Sequence, residues 1–162
     1  MMVQYLPQQN GEHPWSDRGQ LLALALFMIV WSTDSLLFHI TAFGTAVISI
    51  YIRLAIAIPL WILAAILLLS SHYVAHASPS LQNVVTTGVF RYIRHPLYLG
   101  SILVYLGLVI ISLSLAAFGV WCLIAAFYHF IATYEERLLI ARFGDTYRTY
   151  QKQTGRWLPK LR

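Results

Sequence analysis

The 162-residue chain has 59% hydrophobic and only 10% charged side chains, with a formal charge of +5. This composition excludes an ordinary soluble domain and points to a bilayer as the solvent. The cations cluster at the ends of apolar runs rather than on a basic face interleaved with aromatics, which argues against nucleic-acid binding. The single cysteine, Cys122, excludes an intrachain disulfide and a cysteine-rich zinc site.

Residues 1–18 are polar, contain Pro7, Gly11 and Pro14, and lack a cationic start feeding an apolar core. They read as a short cytoplasmic arm rather than a signal peptide, with Trp15 and Arg18 suited to the membrane interface. An N-terminal helical hairpin is expected over 19–70. Its spans, 19–40 and 43–70, each meet the ~20 residues that a bilayer crossing needs. Asp34 and Arg53 interrupt these spans at similar distances from the turn. They read as an ion pair inside the membrane, with separate snorkelling to the nearby interface as the alternative. Pro59 is expected to kink the second helix, because its missing N–H frees a carbonyl one turn earlier.

Residues 71–96 read as the main internal loop, on the cytoplasmic side. His72 and His76 have a helical metal-ligand spacing but no evident third ligand, so no metal site is expected. The 38 residues of 97–134 contain no formal charge. As one helix they would measure about 57 Å at ~1.5 Å per residue, nearly twice the hydrocarbon thickness, so they must form a second hairpin turning near 112–114. Gly100, Gly107 and Gly119 would let its helices approach neighbours closely. The basic segment 135–162 is expected to fold as a cytoplasmic tail over the mouth of this hairpin. The fold class is therefore all-α and polytopic, with four transmembrane helices. Arg18, Arg91, Arg94 and the tail cations place both termini in the cytoplasm, because the two short turns carry none.

The most informative residues flank the second hairpin. The block Thr86-Thr87-Gly88-Val89-Phe90-Arg91-Tyr92-Ile93-Arg94-His95-Pro96-Leu97-Tyr98-Leu99-Gly100 precedes it. Tyr134-Glu135-Glu136-Arg137-Leu138-Leu139 follows it, then Phe143-Gly144-Asp145 with Tyr147 and Tyr150, then Arg156-Trp157-Leu158-Pro159. Together these blocks resemble the superfamily of integral membrane isoprenylcysteine carboxyl methyltransferases and phospholipid methyltransferases, over roughly residues 84–160.

The resemblance implies S-adenosylmethionine as cofactor and a lipophilic or small methyl acceptor, an isoprenylcysteine-type carboxylate, a lipid amine or a thiol, reached from the membrane lipid. Closing the hairpin would bring His95, Tyr98 and Gly100 to Tyr134, Glu135 and Glu136. His95 and an arginine suit the cofactor's carboxylate, a glutamate its ammonium, and Tyr98, Tyr134 or Tyr147 its sulfonium. Adjacent helical residues point about 100° apart, so one glutamate is expected to bind cofactor while the other pairs with a tail arginine. His129, Thr133 and Glu136 recur at i, i+4, i+7, which makes Glu136 the inward one. An amine or thiol acceptor would need a base, for which His129 or a glutamate is available. Similar carboxyl methyltransferases carry an arginine followed by Val-Pro where this chain has Gln153, Thr154 and Gly155. That departure weakens the carboxylate reading, although Arg156 could stand in from the next turn. Two other readings stay open. Sterol reductases, much longer NADPH enzymes, are similar in the Arg-His-Pro-x-Tyr-x-Gly block, and a non-catalytic membrane scaffold could keep the fold. Oligomeric state is not legible.

Overall fold

A computed structural model describes residues 16–77 and 84–160. Within them the chain is helical and has no named strand. Helix α1 (Ser16–Ser32) continues into a π-helical turn (Thr33–Phe38), and a 3₁₀ turn (Phe43–Ala46) leads to α2 (Ile50–Ala77). A second 3₁₀ turn (Gly88–Arg91) precedes α3 (Pro96–Ser112), α4 (Leu115–Phe143) and α5 (Asp145–Gln153). The arm with Trp15, residues 78–83 of the loop, and Arg162 lie outside the described residues, as does the side chain of His76.

Three stretches are long and apolar enough to cross a membrane: Arg18–Phe38, Ile50–Val74 and Leu115–Phe143. The expected third span is the exception, because α3 is a shorter apolar helix of 17 residues. Both its limits are local. Pro96 occupies the first turn, where a missing N–H costs nothing, and Leu113 adopts a left-handed conformation (φ 51°) that ends the helix. Ser114 then caps α4 by accepting from the Ala117 N–H at 3.0 Å. The turn between these helices thus falls where the charge-free length requires it.

Other boundaries differ from expectation. The second helix begins at Ile50 rather than 43 and runs through Pro59 to Ala77, seven residues past the expected limit at 70. Helix α4 carries nine residues beyond Tyr134 to Phe143, so the glutamate pair lies on the helix itself rather than on a separate tail.

Helix α3 packs along α2, and α4 packs against α1 and α3. Phe27, Tyr105, Val109, Ala117, Ile124 and Tyr128 form the buried core, while Leu21, Ile29, Ile52, Ile62 and Leu123 face outward, as suits a lipid-facing surface. Trp31, Trp61 and Trp121 donate their indole N–H groups to the α3 carbonyls of Leu108 (3.2 Å), Val104 (3.2 Å) and Ile102 (3.0 Å). In lipid, where no water can take these donors, such bonds fix helix position. Close approach explains two of the three hairpin glycines. A Cβ at Gly107 would stand 2.1 Å from the Trp61 indole nitrogen, and one at Gly100 2.8 Å from Leu68, whereas Gly119 meets nothing within 4 Å. The expectation for Gly119 is therefore wrong.

The Asp34–Arg53 ion pair is also absent. Asp34, 6% exposed, accepts from the Thr41 N–H (2.8 Å), from the Thr41 hydroxyl (2.6 Å) and from the Ser114 hydroxyl. Arg53 instead donates Nη1 to the Ile111 carbonyl. Both residues do reach the α3–α4 turn, so their shared depth was correct. The π-helical turn and the left-handed His39 (φ 50°) swing Thr41 back onto Asp34, giving it nearby neutral donors in place of a guanidinium.

Candidate active site

The opposite end of the α3–α4 hairpin is built differently. Twenty-two positions of α4 separate Ser114 from Glu136, about 33 Å at ~1.5 Å per residue, which is one hydrocarbon thickness. At this end the chain entering α3 lies beside the chain leaving α5. The Arg94 N–H donates to the Gly155 carbonyl at 2.9 Å and the Gly155 N–H to the Tyr92 carbonyl at 3.3 Å, an isolated parallel bridge between Ile93 and Gly155. The Tyr150 hydroxyl donates to the Phe90 carbonyl at 2.6 Å. A Cβ at Gly155 would stand 1.6 Å from the Leu158 carbonyl oxygen, so only glycine permits this turn.

Glu136 is the centre of this junction, with a side chain 5% exposed. Its Oε1 accepts from Arg94 Nε (2.9 Å) and Arg156 Nε (3.1 Å) and lies 3.2 Å from His95 Nε2. Its Oε2 accepts from Arg156 Nη2 (2.6 Å) and Gln151 Nε2 (3.0 Å). The two arginine side chains are 10% and 25% exposed, so this is a largely buried network in which one carboxylate holds two guanidiniums. A carboxylate with four lone-pair sites and a bidentate arginine gives the geometry in which such burial is tolerated. Arg94 also donates Nη1 to the carbonyls of Gln151 (3.2 Å) and Thr154.

Glu135 turns elsewhere. It accepts from the Tyr98 hydroxyl, and its Oε2 lies 3.7 Å from His95 Nδ1, with the side chain 12% exposed. His95 therefore stands between the two acids. The Tyr98 ring lies parallel to it at 5.7 Å, and Tyr128 stacks on Tyr98 at 5.1 Å.

The structure thus gathers His95, Tyr98, Glu135, Glu136 and Arg156, five of the residues expected in a site. Glu136 is inward, as the i, i+4, i+7 face with His129 and Thr133 requires, but it is also the acid that takes the tail arginine. The expected division of labour placed those properties on different glutamates. His129 lies beside the junction: its Nδ1 accepts from Trp157 Nε1 at 3.3 Å, and its Nε2 lies 3.5 Å from Arg156 Nη1. Arg156 Nη1 donates to the Thr133 hydroxyl at 3.0 Å.

Two of the expected residues serve other surroundings. Gly100 is buried against Leu68 and Ala64 of α2, where its lack of a side chain is a packing requirement. Tyr147 is buried and packs on Tyr150 at 5.7 Å between ring centroids. Burial, and secondarily the Glu136 charge, raises the Tyr147 phenol, and burial pushes that of Tyr150 up to about 12, so both stay protonated. Tyr134 is half-buried on α4.

Sequence reasoning missed Arg94 and Gln151 as partners of Glu136, and Trp157 as the partner of His129. Arg94 had a signal, since it adjoins His95 and faces an acidic pair across a hairpin. Gln151 had none, because an amide on a polar helix reads as solvated. Among the described residues no cluster of three potential metal ligands occurs.

A family model described as phospholipid methyltransferase matches residues 45–146. Residues 156 and 157 lie beyond that match. The chain is 31% identical over 96 residues to protein-S-isoprenylcysteine O-methyltransferase of Schizosaccharomyces pombe, covering 56% of this chain and 39% of the relative. It is 32% identical over 87 residues to methanethiol S-methyltransferase of Pseudomonas deceptionensis, covering 53% of this chain and 32% of the relative. These alignments span well under half the length of either relative. No solved structure matches the chain. With more than half of its residues inside the matched range, and with the two blocks that flank the α3–α4 hairpin joined at one end of it, the chain belongs to the phospholipid methyltransferase family.

Proposed function

We propose that this protein is a membrane-embedded methyltransferase that uses S-adenosylmethionine and acts on a lipophilic or small acceptor at the cytoplasmic interface. The observation that carries the proposal is the convergence of His95, Tyr98, Glu135 and Glu136 at one end of the α3–α4 hairpin, one hydrocarbon thickness from the Asp34 network. In this reading α3 is a fourth, short span. Arg18, the 91–94 segment and the tail cations mark the cytoplasmic face, and both termini lie there. Arg53, at the other end, is the one cation that departs from this pattern.

The residues fit the cofactor in chemical type. An acid held beside an aromatic cluster, as Glu135 is beside Tyr98 and His95, suits the cofactor's ammonium. When bound, S-adenosylmethionine would supply an electrophilic methyl that the acceptor's lone pair attacks in line, with the methyl–sulfur bond breaking and S-adenosylhomocysteine leaving. The protein's task is to hold the two in line and exclude water, where effective molarity can supply ~7 to 11 kcal/mol.

We assign Glu136 and Arg156 positioning roles, because each is engaged by the other. The same engagement supports an uncharged acceptor, a thiol or an amine, over a carboxylate: Arg156, the stand-in for the missing arginine, directs all three of its nitrogens to Glu136, Thr133 and His129. The S. pombe relative's name specifies an O-methylation and the Pseudomonas relative's an S-methylation, so both acceptor chemistries belong in the screen.

Equilibrium binding of S-adenosylmethionine and, separately, NADPH to the full chain in lipid nanodiscs tests the proposal. Binding of the first alone, weakened more than about tenfold by Glu135→Gln through loss of a charge-assisted bond, is the expected result. NADPH binding alone would move the chain to the reductase reading, and binding of neither to the scaffold.

A further inference from the structure

Beyond the family match, the tail brings the indole of Trp157 to the junction. Trp157 is half-buried and packs against the core cluster. Its ring centroid is 6.0 Å from that of His95 and 6.3 Å from that of His129. Ring contacts link Tyr128 to Tyr98, Tyr98 to His95 and His95 to Trp157, and His95 lies against both glutamates. The preceding residue, Arg156, is fixed to Glu136 by two bonds, so the backbone carrying the indole is anchored.

His129 sets the orientation of that indole. An indole N–H is only a donor, so the 3.3 Å contact makes His129 Nδ1 the acceptor, while its Nε2 lies 3.5 Å from the Arg156 Nη1 donor. Both ring nitrogens thus face donors of neighbouring side chains, which gives His129 a positioning contact to the indole.

We propose that Trp157 is the aromatic face that holds the sulfonium of S-adenosylmethionine, with His129 as the residue that positions it. This rests on the methyltransferase reading above. A sulfonium is a poorly hydrated cation, and among aromatic side chains tryptophan attracts cations most strongly. Tyr147 and Tyr150 cannot serve in its place, since both are buried against each other.

S-adenosylhomocysteine provides the test, because it keeps the shape of the cofactor but lacks the methyl and the positive charge. Affinities for both molecules are measured on the full chain in nanodiscs, for the wild type, Trp157→Leu, Trp157→Phe, His129→Leu and His129→Gln. The expected result is that Trp157→Leu weakens S-adenosylmethionine about five- to tenfold while S-adenosylhomocysteine changes less than about twofold. Trp157→Phe keeps a ring and should lose only about two- to threefold. His129→Leu should move the ratio in the same direction, and His129→Gln, which can still accept from the indole, should restore it. A ratio that stays constant in both Trp157 variants would overturn the proposal, whether both affinities hold, as for an interfacial anchor, or fall in parallel, as for a packing residue. Failure of the wild type to bind either molecule would instead overturn the methyltransferase reading, and this inference with it.

Discussion

Replacing Glu136 by glutamine is the most direct probe of how the site is held together. The carboxylate receives two bonds from Arg156 (3.1 and 2.6 Å) and one from Arg94 (2.9 Å), with Gln151 at 3.0 Å and His95 at 3.2 Å. A glutamine placed with its carbonyl at the Oε1 position keeps the Arg94 and Arg156 Nε contacts. Its amide nitrogen then faces Arg156 Nη2, donor against donor, while the Gln151 amide can turn over to accept. The change thus costs one charge-assisted bond, about 1.5 to 3 kcal/mol, and strips two largely buried guanidiniums of their counter-charge. Breaking one partner of a buried ion pair costs ~3 to 5 kcal/mol; the 25% exposure of Arg156 favours the lower end, about 3. An opening penalty reduced by about 3 kcal/mol raises the open population by roughly 150-fold. The amide hydrogens of Arg94 and Gly155 report that opening directly, because each bonds across the junction. Hydrogen exchange in nanodiscs should therefore quicken by about two orders of magnitude at these amides, while α2 and the core of α4 keep their protection. Unchanged exchange at Arg94 and Gly155 would refute the reasoning, and so would a uniform acceleration along every helix.

Gly107→Ala should cost about 1 to 3 kcal/mol in reversible unfolding from mixed micelles, since the new methyl meets the Trp61 indole, whereas Gly119→Ala should change stability by less than about 0.5 kcal/mol. Asp34→Ala leaves the buried Thr41 and Ser114 groups without their acceptor and should destabilise by about 2 to 3 kcal/mol. Its effect should add to that of Arg53→Gln in a double-mutant cycle, and a coupling above about 1 kcal/mol would restore the ion pair that the structure lacks. Tyr150 gives a pH dependence. Its phenol is raised from the usual 10 to about 12, so between those values the unfolded chain has lost the proton that the folded chain retains. Stability from this residue is intact below pH 10 and falls as the pH rises towards 12, and unfolding measured across that window should lose part of its slope in Tyr150→Phe.

Much of the architecture follows from quantities that run along the chain. Hydrophobic length against bilayer thickness required the 97–134 segment to turn, and Leu113 with Ser114 supplies that turn by left-handed backbone and cap. The i, i+4, i+7 spacing placed His129, Thr133 and Glu136 on one face, and all three meet Arg156. Such periodicities give depth and direction for a side chain, but not the neighbour that arrives from another element. Only the tertiary structure decided that Asp34 bonds Thr41 and Ser114 rather than Arg53, because a π-helical turn, invisible in hydropathy, moves Thr41 into reach. The same limit separated the two glutamates. Their spacing required different directions, but the return of residues 150–157 along 90–95 decided that Glu136 holds the arginines, that Glu135 faces His95 and Tyr98, and that Trp157 lies close to both His95 and His129.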